Sequence, residues 1–253
     1  MSLPADQLSA PRVFLSAEWR HLVMVNYIVD PAILRALVPQ GTELELWNGD
    51  AFVSVVGFLF QKTRINGVPV PFHQSFEEVN LRFYVRRLAE DGWRRGVVFI
   101  RELVPKRMVA WVARTVYNEK YSYVPMSHEI QRTDDGAVAH VRYSWKFRGA
   151  TNAIRVDIAG APTPLIDGSE EEFIAEHYWG YATQRDGGTM EYHVTHPRWS
   201  VASASTSMLD CDVAALYGRE FAEPLSRAPS LAFYADGSAV EVYGGRRLPE
   251  TKR

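Results

Sequence analysis

The run Arg101 to Tyr121, RELVPKRMVAWVARTVYNEKY, sets two cations where they can do chemistry. An apolar strand ends there at Pro105, and Lys106 and Arg107 follow at the expected first turn of a helix. That turn carries the positive end of the backbone dipole and favours acidic side chains, so the placement is locally unfavourable. A lysine beside a second cation at a helix start is expected to lose basicity, because both neighbours penalise its charged form. The neutral amine is a nucleophile that can form an imine with a carbonyl. The alternative is that both side chains reach back into water. A second candidate set is Glu77 and Glu78 beside Asn80 and Arg82, which offers acid–base chemistry if the strand lines a lumen and a solvated strand end if it does not. The seven histidines are scattered; His193 and His196, three apart on a strand, face opposite sides. There is no H-E-x-x-H, no Gly-rich phosphate loop and no G-x-S-x-G elbow, so neither a metal nor a cofactor is expected.

The elements that must position these groups read mostly as strands. Leu22 to Val25 suggests a strand buried on both faces, and Asp30-Pro31 caps a short helix over Ile33 to Val38. Thr42 to Trp47 and Ala51 to Lys62 form a hairpin around Asn48-Gly49. The segment Arg64 to Gln74, with two prolines and a glycine, reads as an extended loop. Phe76 to Arg87 alternates, with Val79, Leu81, Phe83 and Val85 on one face and Asn80, Arg82, Tyr84 and Arg86 on the other. This fits a half-solvated sheet or a barrel with a polar lumen. Trp93 to Val104 returns as a strand. A helix is expected over Arg107 to Asn118, then a hairpin of His128 to Thr133 with Ala137 to Arg148, and a strand at Ala153 to Ile158. Ser169 to Trp179 reads as a helix, Thr189 to Thr195 and Trp199 to Met208 as strands, Asp210 to Tyr217 as a short helix, and Leu231 to Tyr243 as a hairpin turned by Asp236-Gly237. No linker or repeat divides the chain, so a single mostly β domain over 1–253 with a few packing helices is expected, residues 1–12 being a lead-in.

Composition excludes some partners. With 28 basic and 30 acidic residues, nothing argues for nucleic acid or an anionic membrane surface. The longest apolar run, Ala51 to Phe60, is too short to span a bilayer as a helix, and the N-terminal residues do not resemble a signal peptide. The single Cys211 excludes an intrachain disulfide and reads as a buried small hydrophobe. A cytoplasmic protein is expected, and a homo-oligomer is compatible with the sequence.

Two stretches resemble the acetoacetate decarboxylase superfamily. Trp19 to Pro39, WRHLVMVNYIVDPAILRALVP, is similar to its early strand–helix unit, and RELVPKR resembles the run in which Arg-Glu-Leu precedes Pro-Lys-Lys, with two fewer residues between leucine and proline. The resemblance implies Lys106 as the Schiff-base lysine, Arg107 in place of the second lysine that lowers its pKa, and Arg20 as the substrate-orienting arginine. The family's active-site glutamate has no counterpart; its place falls near Ile65, with Arg64 and Asn66 as polar neighbours. A closer resemblance is to the YqjF-like family of uncharacterised bacterial proteins, carried by Leu22 to Pro39, Val55-Val56-Gly57-Phe58, Glu78 to Arg82, Gly96 to Phe99, Ala113-Arg114 and Tyr192 to His196. It implies an antiparallel decarboxylase-like β-barrel or sheet.

Two functions are therefore expected from different classes. One is a lyase, or an aldolase-dehydratase, in which Lys106 forms an imine with a small oxo acid, Arg20 holds the carboxylate, and Glu102 or the Arg64 loop handles protons. The other is a non-catalytic module that holds a small organic ligand in the same barrel pocket.

Overall fold

The computed structural model describes residues 12–71, 74–106 and 120–249. The helix expected over Arg107 to Asn118 lies outside them, as does nearly all of the lead-in. Along the chain, β1 (Val13–Val29) leads into α1 (Pro31–Leu34), where the Asp30 side chain accepts from the Ala32 N–H as an N-cap. Then come β2 (Glu43–Leu44), β3 (Ala51–Ile65), β4 (Val68–Pro69), β5 (Phe76–Ala89) and β6 (Gly92–Val104). β7 (Tyr121–Tyr123), β8 (Met126–Arg132), β9 (Val138–Phe147), β10 (Ala150–Ile158) and β11 (Thr163–Pro164) precede α2 (Glu170–Ala175), capped by Ser169. The rest is β12 (Trp179–Thr183), β13 (Thr189–Thr195), β14 (Ser200–Asp210), α3 (Val213–Leu216), α4 (Ala222–Ser226), β15 (Leu231–Tyr243) and β16 (Arg246–Arg247).

The strands follow the order β13-β12-β6-β5-β3-β1-β15, and β13 pairs with β15 at Val194↔Val242 and Thr195↔Glu241. That pairing returns the sheet to its start and closes a barrel. All contacts in the ring are antiparallel except β12 with β6, which run parallel through Trp179↔Gly96 and Gly180↔Val97. A side chain at Gly96 is excluded there, since a Cβ would lie 2.7 Å from the Trp179 carbonyl oxygen and 2.6 Å from the Tyr181 ring. Beyond the ring, β14 pairs with β15 at one end and with β10 at the other, carrying the chain into an outer sheet of β10, β9 and β8.

This arrangement makes two cores. The outward faces of the barrel strands, with Val55, Val79, Leu81 and Phe83, pack against Val141, Tyr143, Trp145 and Ile154 of the outer sheet and against Leu216 and Phe221. The inward faces, with Leu22, Met24, Val56, Phe58, Phe60, Phe76 and Tyr84, pack with Phe173 and Ile174 of α2. β5 is thus buried on both sides, and the lumen reading of its alternation is the one that applies. Cys211 is only partly buried, against the outer core.

The structure differs from the sequence expectations at four places. Thr42 to Trp47 does not form a hairpin with Ala51 to Lys62: β2 pairs with β5 through Glu43↔Arg86 and Leu44↔Val85, and a single Trp47↔Asp50 bridge spans the Asn48-Gly49 turn. Leu231 to Tyr243 is one continuous strand, not a hairpin: Gly237 sits at φ +84° in unbroken register opposite Arg20, where a Cβ would run into the Trp19 carbonyl oxygen. Neighbouring strands bulge beside it at His21 (φ 55°) and Lys62 (φ 54°), and the Tyr143 hydroxyl donates to the His21 carbonyl at 2.8 Å. The expected loop after Arg64 begins with a tight hairpin, because Asn66 (φ 49°) and Gly67 (φ 78°) supply the two left-handed residues of a type I′ turn and bring Ile65 opposite Val68. The helix expected to reach Trp179 stops at Ala175, and Trp179 instead opens a strand recruited by the parallel contact with β6.

Near the barrel seam, the fully buried Glu191 of β13 accepts from Arg94 at 2.7 Å, from Arg246 at 2.9 Å, and from Arg87 and Tyr181 at 3.1 Å each. One carboxylate thereby joins β5, β6, β12 and β16. Removing its charge leaves the partly buried Arg87 and Arg94 facing a neutral amide, while Arg94 keeps Asp91 and Arg246 is largely exposed. Glu191→Gln is expected to lower the unfolding free energy by about 2–3 kcal/mol in chemical denaturation; a loss below about 1 kcal/mol would show that closure does not depend on this carboxylate.

Candidate active site inside the barrel

The barrel encloses a cavity of about 280 Å³. Most of its wall is aromatic or aliphatic: Trp19, Phe58, Phe60, Phe76, Phe99, Trp179 and Trp199, with Leu22, Val56 and Val97. The polar groups form a stripe. β5 contributes Glu78, Asn80 and Arg82, β6 contributes Glu102, β7 contributes Tyr121, and His177, Tyr192 and His196 complete it. The spacing follows from the strand period, which sends every second residue of β5 inward, and from register, which sets Asn80 opposite Glu102.

The carboxyl of Glu78 takes a hydrogen bond from Asn80 Nδ2 at 3.0 Å and one from the Tyr121 hydroxyl at 3.1 Å. Burial pushes the Glu78 carboxyl up to about 7, against the lowering effect of those two donors and of the Arg82 charge. It is poised to hold or release a proton near neutrality. Burial, with the adjacent Glu102 and Glu78 charges, drives the Tyr121 phenol well above its ordinary value, so it stays a donor. Arg82 gives an Nη2 hydrogen to the Ile174 carbonyl at 3.2 Å, while its buried Nε has no hydrogen-bond partner among the described residues.

Behind Arg82, the His177 ring packs on Tyr84 with centroids 4.6 Å apart, and its Nε2 meets Glu45 Oε2 at 3.0 Å. Burial drives His177 down to about 4, so the ring is neutral at physiological pH. Although burial opposes it, the contacts with His177 and Arg95 hold Glu45 below its ordinary value. The ionised Glu45 accepts, so Nε2 carries the proton and Nδ1 presents a lone pair. That Nδ1 has no partner among the described residues, and neither does Asn80 Oδ1. His196 stacks on Trp199 at 4.1 Å and is likewise lowered by burial.

Of the residues singled out from sequence, Arg82 and Glu102 line this cavity. Arg20 is not among the lining residues: its guanidinium bonds to Glu18 at 3.0 Å and to Asp236 and the Gly237 carbonyl at 3.3 Å each, beside the bulge. Trp19 and Leu22 face the cavity on either side of it, since the bulge puts Arg20 and His21 out of the alternation. Arg64 donates to the Gly67 carbonyl at 3.2 Å, and Asn66 forms the turn; their neighbours Thr63, Ile65 and Val70 line the cavity instead. Lys106 is half-buried and outside the lining set; its charge contributes, after the His128 hydrogen bond, to holding Glu77 below the ordinary carboxylate range. Glu77 faces His128 of the outer sheet, opposite to Glu78. Arg107 lies outside the described residues. Among the described residues no cluster of His, Cys, Asp or Glu could hold a metal, and no helix is long and apolar enough to cross a membrane. His177 and Tyr121 escaped the sequence reading because neither sits in a motif; each reaches the cavity through packing.

A closed barrel with an aromatic cavity and buried acid–base groups defines the class: proteins of the acetoacetate decarboxylase-like fold. An acetoacetate decarboxylase from Legionella pneumophila superposes with a TM-score of 0.64, 12% identity and coverage of 98% of this chain and 93% of its own. An acetoacetate decarboxylase-like enzyme from Sphingomonas wittichii RW1 gives 0.66, 14%, 98% and 100%. The enduracididine biosynthesis enzyme MppR, complexed with pyruvate, gives 0.64, 14%, 96% and 92%. Residues 16–239 match the model of DUF2071, a family described as an uncharacterized conserved protein, and the chain belongs to that family. It is 28% identical over 191 residues to the uncharacterized protein YqjF of Bacillus subtilis (strain 168), covering 75% of this chain and 76% of the relative.

The two perturbed groups give stability opposite pH slopes. Glu78 is raised, so the native state keeps a proton the unfolded chain has lost, and its contribution fades as pH rises from about 4.5 to about 7. His177 is lowered, so its contribution fades as pH falls from 6.5 to about 4. Between these limits they offset one another in the native sequence. Glu78→Gln removes one slope, and the variant is expected to lose stability relative to wild type by on the order of 3 kcal/mol as pH falls from about 7 to 4.5, measured by denaturant midpoint. Parallel pH profiles for the two proteins would contradict the buried, proton-holding Glu78.

Proposed function

We propose that the chain is an acid–base enzyme that binds a small organic acid with an apolar body inside the barrel and moves a proton near the carboxylate. The observation that carries this is the Glu78 carboxyl, poised near neutrality beside Arg82 in an aromatic cavity. Arg82 is the cation available to a bound carboxylate, and its planar donors suit that shape. Glu78 accepts a proton from the ligand and returns it. Tyr121 and Glu102 flank it and keep the exchange away from bulk water. A pyruvate complex of a protein with this fold is in keeping with a small acid as ligand. The imine chemistry expected of Lys106 rests on the Lys106-Arg107 pair and on the resemblance, and the acid–base reading does not use it.

Calorimetry with pyruvate and mandelate tests binding, and exchange of their carbon-bound hydrogens in D2O, followed by NMR, tests proton transfer. Arg82→Met is expected to weaken binding at least about tenfold. Glu78→Gln is expected to keep binding and to lose about a hundredfold or more of the exchange. Borohydride in the presence of pyruvate is expected to leave Lys106 unmodified. An adduct at Lys106 would replace this reading with the imine enzyme; binding without exchange in any variant would replace it with a carrier or sensor.

A further inference from the structure

The polar stripe is unbalanced in a way that bears on the ligand. Asn80 is 3% exposed, its Nδ2 is committed to Glu78, and its Oδ1 has no partner among the described residues. His177 is 7% exposed, its Nε2 is committed to Glu45, and its Nδ1 has no partner among them either. Both residues line the cavity. The buried Arg82 Nε is a donor with no partner among the described residues. On β5, Asn80 and Arg82 are two residues apart on the same face, about 7 Å along the strand, and His177 lies over Tyr84 on the far side of Arg82. The cavity therefore offers an anion grip with a bare acceptor on either side. Native interiors rarely leave buried acceptors bare, so these call for donors from the ligand.

We propose that the ligand is a carboxylic acid bearing a hydroxyl on the neighbouring carbon, a 2-hydroxy acid with an apolar or aryl body, whose hydroxyl donates to Asn80 Oδ1 while its carboxylate sits on Arg82. This rests on the reading that Arg82 anchors an organic acid. A 2-oxo group fits less well, because a carbonyl sets lone pair against lone pair at Asn80 and at His177. The order reverses on acidification. Once Glu78 carries a proton, it can donate to Asn80 Oδ1, which turns the amide NH2 toward the ligand and favours an oxo group. Among the described residues, Arg82 on its own strand and Tyr121 on β7 act on Glu78, and Glu102 on β6 and Tyr192 on β13 act in turn on Tyr121.

The test is a matched aryl series, phenylacetate, mandelate and benzoylformate, titrated into the whole protein by calorimetry at pH 8 and pH 5.5 (about one unit or more either side of the Glu78 midpoint). At the higher pH, mandelate is expected to bind about tenfold or more tightly than phenylacetate, with benzoylformate weaker than mandelate. At the lower pH that advantage over benzoylformate is expected to shrink or reverse. Asn80→Leu, close in volume, is expected to bring mandelate to within about twofold of phenylacetate. If phenylacetate binds but mandelate gains nothing at the higher pH, the hydroxy-acid assignment fails while the organic-acid reading stands. If none of the acids binds the folded protein, both fail. A mandelate advantage that persists in Asn80→Leu would overturn the role given to Asn80; should that variant not fold, the wild-type series alone decides the ligand class.

Discussion

Burial of β5 on both faces is the constraint from which the rest follows. A strand with solvent on one side could carry Glu78, Asn80 and Arg82 as ordinary surface residues. Here the ring closure through β12, β13 and β15 removes that solvent, and each polar group must find a partner or change its charge state. Glu78 changes its charge state, Tyr121 remains a donor, and His177 gives up its proton-binding capacity. The charge states of the cavity groups are thus a product of how the sheet closes.

Closure itself is polar at its seam and apolar elsewhere. The parallel contact between β6 and β12 is short, with two paired residues on each strand, and Gly96 keeps it close. Glu191 gathers three arginines nearby, from β5, β6 and β16, onto a single buried carboxylate. Across the barrel, bulges between β1 and β3 beside His21 and Lys62, with the left-handed Gly237 of β15 alongside, crease the three strands, and the outer sheet presses on that crease through Tyr143. The crease also explains Arg20. A strictly alternating strand could not send both Trp19 and Leu22 inward, and the extra residue leaves Arg20 among the acidic groups Glu18 and Asp236.

The fold was legible in the sequence because its signals are local and repeated. The alternation of β5, the Asn48-Gly49 turn, and the Asp30 and Ser169 caps each report their own neighbourhood, and the mostly β, decarboxylase-like architecture emerges from them. The site was legible only where alternation carried it: Glu78, Asn80 and Arg82 were visible as one face of a strand, and Glu102 stood within the conspicuous RELVPKR run. What was hidden depends on distant contacts. His177 matters through Glu45, 132 positions away, and Tyr121 through Glu78, 43 away. Asp236-Gly237 reads as a hairpin turn because Asp-Gly favours left-handed backbone, and only the continuous pairing of β15 with β1 shows that the strand runs on through it.

The two cores share strands but almost no side chains. On β5 the residues that hold the outer sheet and those that line the cavity alternate one by one, so neighbours in sequence answer to separate physical demands. Substitutions on the two faces have little direct contact through which to interact, and their effects should combine nearly independently. Such a strand lets the lining of the cavity change over a lineage without renegotiating how the chain folds.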